Sequence, residues 1–120
     1  MAEPTMHQGS CHCGAVRYQV ELDLTAKAIA CNCSMCGRSG TMLLFVPVEK
    51  FTLEKGEDEL TNYQFHKHHI DHVFCKHCGI KSFARGMSPK GERMIAVNVR
   101  CLEDVDVFTQ PTQQFNGKSL

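Results

Sequence analysis

An excess of charge of either sign is missing from this sequence: thirteen Lys and Arg face thirteen Asp and Glu in 120 residues. That balance argues against nucleic-acid binding through a basic patch and against an acidic tail, so no nucleic-acid partner is expected. Long apolar runs are missing too. None approaches the roughly 18 residues that cross a bilayer, and the opening MAEPTMHQGS has no apolar stretch resembling a signal peptide. The expectation is a soluble, cytoplasmic chain with no membrane partner. Tryptophan is absent and aromatic residues make up only 8%. No linker-like stretch divides the chain, so residues 1–120 read as one domain. A domain of this length hides roughly two thirds of its unfolded surface, so its core is thin and crosslinks would help it.

Cysteine, by contrast, is abundant. Eight in 120 residues is several times what an ordinary intracellular domain carries. A reducing compartment disfavours structural disulfides, which leaves metal binding or redox chemistry as the reason for close spacing.

Periodicity points to short strands. Val16, Tyr18, Val20 and Leu22 alternate with polar residues up to Asp23, the mark of a half-buried strand. Leu43 to Val48, Leu60 to Phe65, Ile80 to Ala84 and Ile95 to Arg100 read as further strands. The best helical candidate is Ser34 to Ser39, with Ser34 as its cap and Cys36 on its first turn. Phe45, Phe74 and Phe83 are expected in the core. The tail from Pro111 to Leu120 has little apolar periodicity and reads as partly loose. The expected fold class is mainly β, built of short antiparallel strands.

The cysteines form three groups and a singleton: Cys11-His-Cys13-Gly, Cys31-Asn-Cys33-Ser-Met-Cys36-Gly, Cys75-Lys-His-Cys78-Gly, and Cys101. Tetrahedral zinc needs four converging donors, and a C-x-C pair plus a C-x-x-C pair supply them, here Cys11 and Cys13 with Cys75 and Cys78. Gly79 suits such a turn because the residue after the second ligand often needs positive φ, and Gly14 and Gly37 occupy equivalent places. Lys76 and Lys81 would soften the charge of that four-thiolate site. The alternative is a pair of disulfides, which C-x-C geometry opposes.

The middle group offers three sulfurs, Cys31, Cys33 and Cys36. Three ligands leave one tetrahedral position for water or substrate, as in zinc enzymes. Two other readings stay open: closure by His12, His72, His77 or Cys101, or a metal-free redox cluster. His66, His68, His69 and His72 crowd one stretch and read as exposed strand or loop histidines, one of them near the metal. Arg38 and Arg100 are candidate anchors for a carboxylate. Cys101 reads as a buried apolar thiol. No general base stands out, so the catalytic residues stay unassigned.

Set in GSCHCGAVRY, CNCSMCGRSG, FCKHCGIKSF and AVNVRCLEDVD, these groups resemble the family of glutathione-dependent formaldehyde-activating enzymes and centromere protein V. FCKHCGIKSF and AVNVRCLE look most like the centromere protein V branch. The resemblance covers about residues 9–108 and leaves 109–120 as a tail. It implies a zinc-stapled, Mss4-like fold of the β-tent type. It also implies a structural zinc on Cys11, Cys13, Cys75 and Cys78, and a second zinc, regarded as catalytic, on Cys31, Cys33 and Cys36.

The activity expected from that resemblance is carbon–sulfur lyase chemistry on adducts of a small thiol such as glutathione with an aldehyde such as formaldehyde. A thiol-binding carrier or a structural zinc domain is the alternative. The long basic extension of centromere protein V is missing, so a chromatin role does not carry over. Asn116 stands before Gly117 where relatives commonly have an acidic residue.

Overall fold

The computed structural model describes residues 4–64 and 70–117. Ten strands lie among them, in two sheets. β1 (Thr5–Ser10), β2 (Arg17–Leu22) and β5 (Phe51–Lys55) make an antiparallel three-stranded sheet in the order β1-β2-β5. The second sheet has seven strands. It contains β3 (Ala28–Cys31), β4 (Leu43–Pro47), β6 (Leu60–Tyr63), β7 (Asp71–Cys75), β8 (Phe83–Met87), β9 (Arg93–Asn98) and β10 (Thr112–Phe115), in the order β10-β3-β4-β9-β8-β7-β6. One short helix, α1 (Ser34–Ser39), joins β3 to β4. Among the described residues no helix is long and apolar enough to cross a membrane.

The alternation that predicts β2 also explains the core. Tyr18, Val20 and Leu22 point inward and are buried, together with Val16 just before the strand. They meet Leu44 and Val46 of β4, Ile95 and Val97 of β9, Phe83 of β8 and Val73 of β7. The Tyr18 ring stacks on Phe51 at 5.0 Å and meets the edge of Phe83 at 5.8 Å, so three rings stand in for the missing tryptophan.

Several expectations change. Phe83 is fully buried, but Phe45 is 55% exposed because it lies on the opposite face of β4 from Leu44 and Val46. Phe74 alternates with the buried Val73 and Cys75 and is only half-buried. The tail is not simply loose: Thr112–Phe115 adds to the edge of β3 as the one parallel pair between these strands, from Thr112 opposite Ala28 to Phe115 opposite Cys31. β1, β3, β5, β7 and β10 were not predicted as strands. The expected strand from Leu60 to Phe65 is seen from Leu60 to Tyr63, and Phe65, His66, His68 and His69 lie outside the described residues.

Gly56 holds the turn after β5 against the start of β2. Its φ of 103° is in the left-handed region, and a Cβ there would meet the Ala15 carbonyl oxygen and lie 2.8 Å from Val16 Cα. Both partners are backbone and cannot rotate away. Gly56→Ala should therefore cost about 2–4 kcal/mol and lower Tm by on the order of 10 °C, measured by thermal unfolding of the metal-replete protein.

Candidate metal centres

The four outer cysteines come from opposite parts of the molecule. Cys11 and Cys13 follow β1, Cys75 ends β7, and Cys78 lies in the turn beyond it. Their sulfurs all lie within 4.8 Å of one another. Cys13 Sγ is 3.7 Å from Cys11 Sγ and 3.6 Å from Cys75 Sγ. Four sulfurs at about 2.3 Å from one ion stand about 3.8 Å apart in a tetrahedron, while a disulfide needs about 2.05 Å. The spacing fits the metal and not the disulfide, and all eight cysteines are free thiols.

Local backbone geometry prepares the site. Gly14 has φ of 83° and Gly79 has φ of 78°, as the knuckle turns require, and the Gly79 N–H donates to the Cys75 carbonyl at 2.8 Å. The Val16 N–H points at Cys11 Sγ at 3.4 Å and the His77 N–H at Cys75 Sγ at 3.4 Å. Burial opposes ionisation of Cys78, yet the Cys13 and Ile80 N–H groups and neighbouring thiols outweigh it and bring its pKa down to about 6. Cys13 goes the other way, to about 11: the Ala15 N–H favours its thiolate, but burial and the adjacent sulfurs win. Without a cation the cluster shares its protons unequally, and a divalent ion is what allows all four to ionise together.

The three middle cysteines are close neighbours in sequence. Cys31 ends β3, Cys33 caps α1, and Cys36 lies within the helix. Their sulfurs also lie within 4.8 Å of one another, and no further Cys, His, Asp or Glu among the described residues joins them. The cap is Cys33 and not Ser34: Cys33 Sγ accepts from the Cys36 N–H at 3.3 Å, and the Cys33 N–H in turn points at Cys31 Sγ at 3.4 Å. Gly37 is helical, so the positive φ falls instead on Gly40, at 69°, where the helix ends. Burial works against the Cys33 thiolate, but the Cys36 N–H and the Cys31 thiol hold its pKa below the ordinary thiol value. Cys36 is pushed up to about 11 by burial and by Cys33.

Three of the four candidate fourth ligands have other partners, and His12 is exposed and does not join the three sulfurs. His77 Nε2 meets the Glu59 carboxylate. Cys101 Sγ lies 3.9 Å from the Lys81 carbonyl and 3.7 Å from Asn98 Nδ2. Lys81 Nζ donates to His72 Nδ1 at 2.7 Å, which leaves the imidazole proton on Nε2. Lys76 pairs with Glu59 at 3.5 Å. Lys81 is 8% exposed and lines a cleft with Cys11; burial lowers its pKa, and the charges of Cys36 and Cys33 partly oppose that.

Burial, then the Lys81 charge, lower the His72 pKa to about 4, while Asp71 opposes them weakly. Because the unfolded pKa of about 6.5 is higher, the unfolded chain binds more protons between those values. This contribution to stability is complete above about pH 6.5 and is lost as pH falls towards 4. His72 should stay neutral at pH 5.5, with its proton on Nε2, in an imidazole nitrogen NMR titration. A protonated ring at that pH would contradict the Lys81 contact.

The tail folds over the middle cysteines. The Asn32 N–H donates to the Phe115 carbonyl at 3.2 Å, and Asn32 Nδ2 donates to Asn116 Oδ1 at 3.0 Å. A Cβ on Gly117 would lie 2.5 Å from Cys31 Sγ, so only glycine lets the backbone pass there. Beside this strap a cleft of about 760 Å3 opens on Cys31 and Cys36, with Asn116, Gln114, Thr41 and Arg100 on its walls. Arg100 is exposed at its rim, whereas Arg38 donates back to the Ser34 carbonyl at 2.9 Å. Thr41 Oγ1 is buried with no nitrogen or oxygen partner and favours the Cys36 thiolate. Sequence reasoning missed Thr41 and the role of Gly117, since neither belongs to a spaced motif.

Two comparisons place this architecture. A solved protein from Rhodobacter sphaeroides is 32% identical and superposes with a TM-score of 0.78 over 90% of this chain and 99% of its own. The family model for the glutathione-dependent formaldehyde-activating enzyme matches residues 6–118, which take in both cysteine centres and the strap over the second. With the match running over nearly the whole chain and both cysteine groups inside it, the chain belongs to the glutathione-dependent formaldehyde-activating enzyme family.

Proposed function

We propose that the seven clustered cysteines hold two zinc ions and that the three-cysteine centre is the site of carbon–sulfur lyase-type chemistry on thiol–aldehyde adducts. Cys11, Cys13, Cys75 and Cys78 hold the structural ion. Cys31, Cys33 and Cys36 hold the other, and its fourth position faces a small thiol such as glutathione. The observation that carries this reading is the count of three converging sulfurs beside an open cleft with polar side chains on its walls. The family's name supplies formaldehyde as the aldehyde. Free thiols and zinc centres suit a reducing, cytoplasmic compartment.

When bound, zinc lowers the pKa of a thiol in its open position from about 8.5, so that the sulfur is ionised near neutral pH. The protein's own groups do the rest. Arg100 at the cleft rim pairs with a carboxylate of the thiol substrate. Lys81 offsets the negative charge that gathers at the cysteines. In addition, the sulfur forms a bond to the carbonyl carbon, the C=O π pair moves to oxygen, and the oxygen takes one proton. Elimination reverses these steps and returns thiol and aldehyde.

The test is the rate of S-hydroxymethylglutathione formation from glutathione and formaldehyde, followed by exchange NMR with metal-replete protein. Acceleration above the protein-free rate is expected, and equal rates reject catalysis. A carrier is the second reading, favoured by the engagement of His72 and His77 elsewhere, which leaves the cluster without an evident base. Saturable thiol binding without acceleration would support the carrier.

A further inference from the structure

The outer face of the seven-stranded sheet carries an apolar feature that the cleft beside the cysteines does not use. Direct pairing places Phe45, Ala96, Ala84, His72 and Tyr63 in one row across β4, β9, β8, β7 and β6. Paired residues share a face, so this row lies opposite Leu44, Val97, Phe83 and Val73 of the core. Small residues in its middle leave a trough of about 340 Å3. Ala84 and Ala96 form the floor, and Phe45, Ile70, Met87 and Met94 form the walls. Three wall residues are large and exposed: Phe45 at 55%, Ile70 at 46% and Met87 at 65%.

The floor of the trough neighbours the three-cysteine centre. Its floor residues Ala84 and Ala96 form one cluster with Leu43, and Cys36 packs against that cluster. Cys36 thus lines the cleft that has Arg100 at its rim and packs against the cluster that floors the apolar trough. His72 is paired with Ala84 of the floor and is bonded to Lys81. A site that joins two reactants needs room for both on either side of the reacting sulfur.

We propose that the trough binds the substituent of the carbonyl reactant, and that this substituent is a hydrocarbon group of about four to seven carbons, so that the site takes aliphatic or aromatic aldehydes. The assignment rests on the lyase reading above for its chemistry, though binding itself does not. Glutathione is too polar for these walls, and formaldehyde has no substituent to fill them. A volume of about 340 Å3 is at the small end of ligand pockets, whereas a stable protein interface buries about 800 Å2 on each partner. The bond changes are those already given: C–S forms, the carbonyl π pair goes to oxygen, and oxygen takes a proton.

The experiment uses zinc-replete full-length protein and 1-hexanol, an unreactive mimic of hexanal. Saturable methyl shifts in two-dimensional NMR are expected at Ala84, Ala96, Met87 and Met94. Met87→Glu, at an exposed wall, should weaken binding at least tenfold, while Phe108→Glu, on a turn outside the trough lining where Phe108 is 95% exposed, should leave it unchanged. Acceleration of hemithioacetal formation over the protein-free rate should be at least tenfold greater for hexanal than for acetaldehyde. Absence of saturable shifts, equal weakening by both variants, or a dimer that buries these methyls would overturn the proposal. Binding of hexanol with no acceleration for any aldehyde would support the trough and reject the lyase reading instead.

Discussion

Cys75→Ser leaves the chain without a cooperative fold at 25 °C, and excess chelator does the same to the native sequence. Cys75 is 1% exposed at the end of β7, and its sulfur meets that of Cys13, 62 residues earlier in the chain. The four-cysteine centre therefore fastens the three-stranded sheet to the β7–β8 turn of the seven-stranded one. A structural zinc contributes roughly 10–16 kcal/mol in small zinc domains, while a whole domain is stable by only about 5–15 kcal/mol. Removing the ion takes away as much as the fold possesses. Serine is a poorer ligand and also leaves a hydroxyl in a buried place. Circular dichroism during heating checks the result: a cooperative transition with Tm within about 5 °C of the native value would show that the strands hold without the centre.

Cys33→Ser has the opposite profile. The fold stays, the zinc content drops by one ion per chain, and any protein-dependent acceleration of adduct formation falls at least about a hundredfold. The middle centre fastens only β3, α1 and the tail, all at the end of the sheet. Cys33 also caps α1 by accepting from the Cys36 N–H, a role serine fills well, so the stability cost stays within about 1–2 kcal/mol. Loss of activity with an intact fold then reports the ligand and not the scaffold. Gly117→Val offers a second route to the same centre. Its branched side chain would collide with Cys31 Sγ and Cys33 Cβ and push the strap off the cysteines. Metal content and the exchange-NMR rate measure both variants.

The cysteine grouping was legible because ligand spacing is local: each turn needs two sulfurs a fixed few residues apart, with glycine after the second at Gly14 and Gly79. β2 was legible because one face of it is core along its whole length. Other elements gave no such signal. β3, at Ala28–Cys31, is too short to show a period, and β10 is a strand only because β3 offers it an edge. Phe45 resembles core by composition, but strand alternation sends it outward, where it walls the trough. Lys81 is near Cys78 in sequence, yet its side chain crosses to His72 of β7. Such placements depend on which strands become neighbours, and the order β9-β8-β7 is not written in any local pattern.

Zinc stoichiometry combined with zinc-edge X-ray absorption on reduced, purified protein tests the two-centre account most directly. Two zinc ions per chain are expected, with a mean first shell of three and a half sulfurs and one half lighter atom per ion: four sulfurs at one centre, and three sulfurs with one nitrogen or oxygen at the other. A folded chain with no bound metal, or two ions both enclosed by four sulfurs, would contradict it.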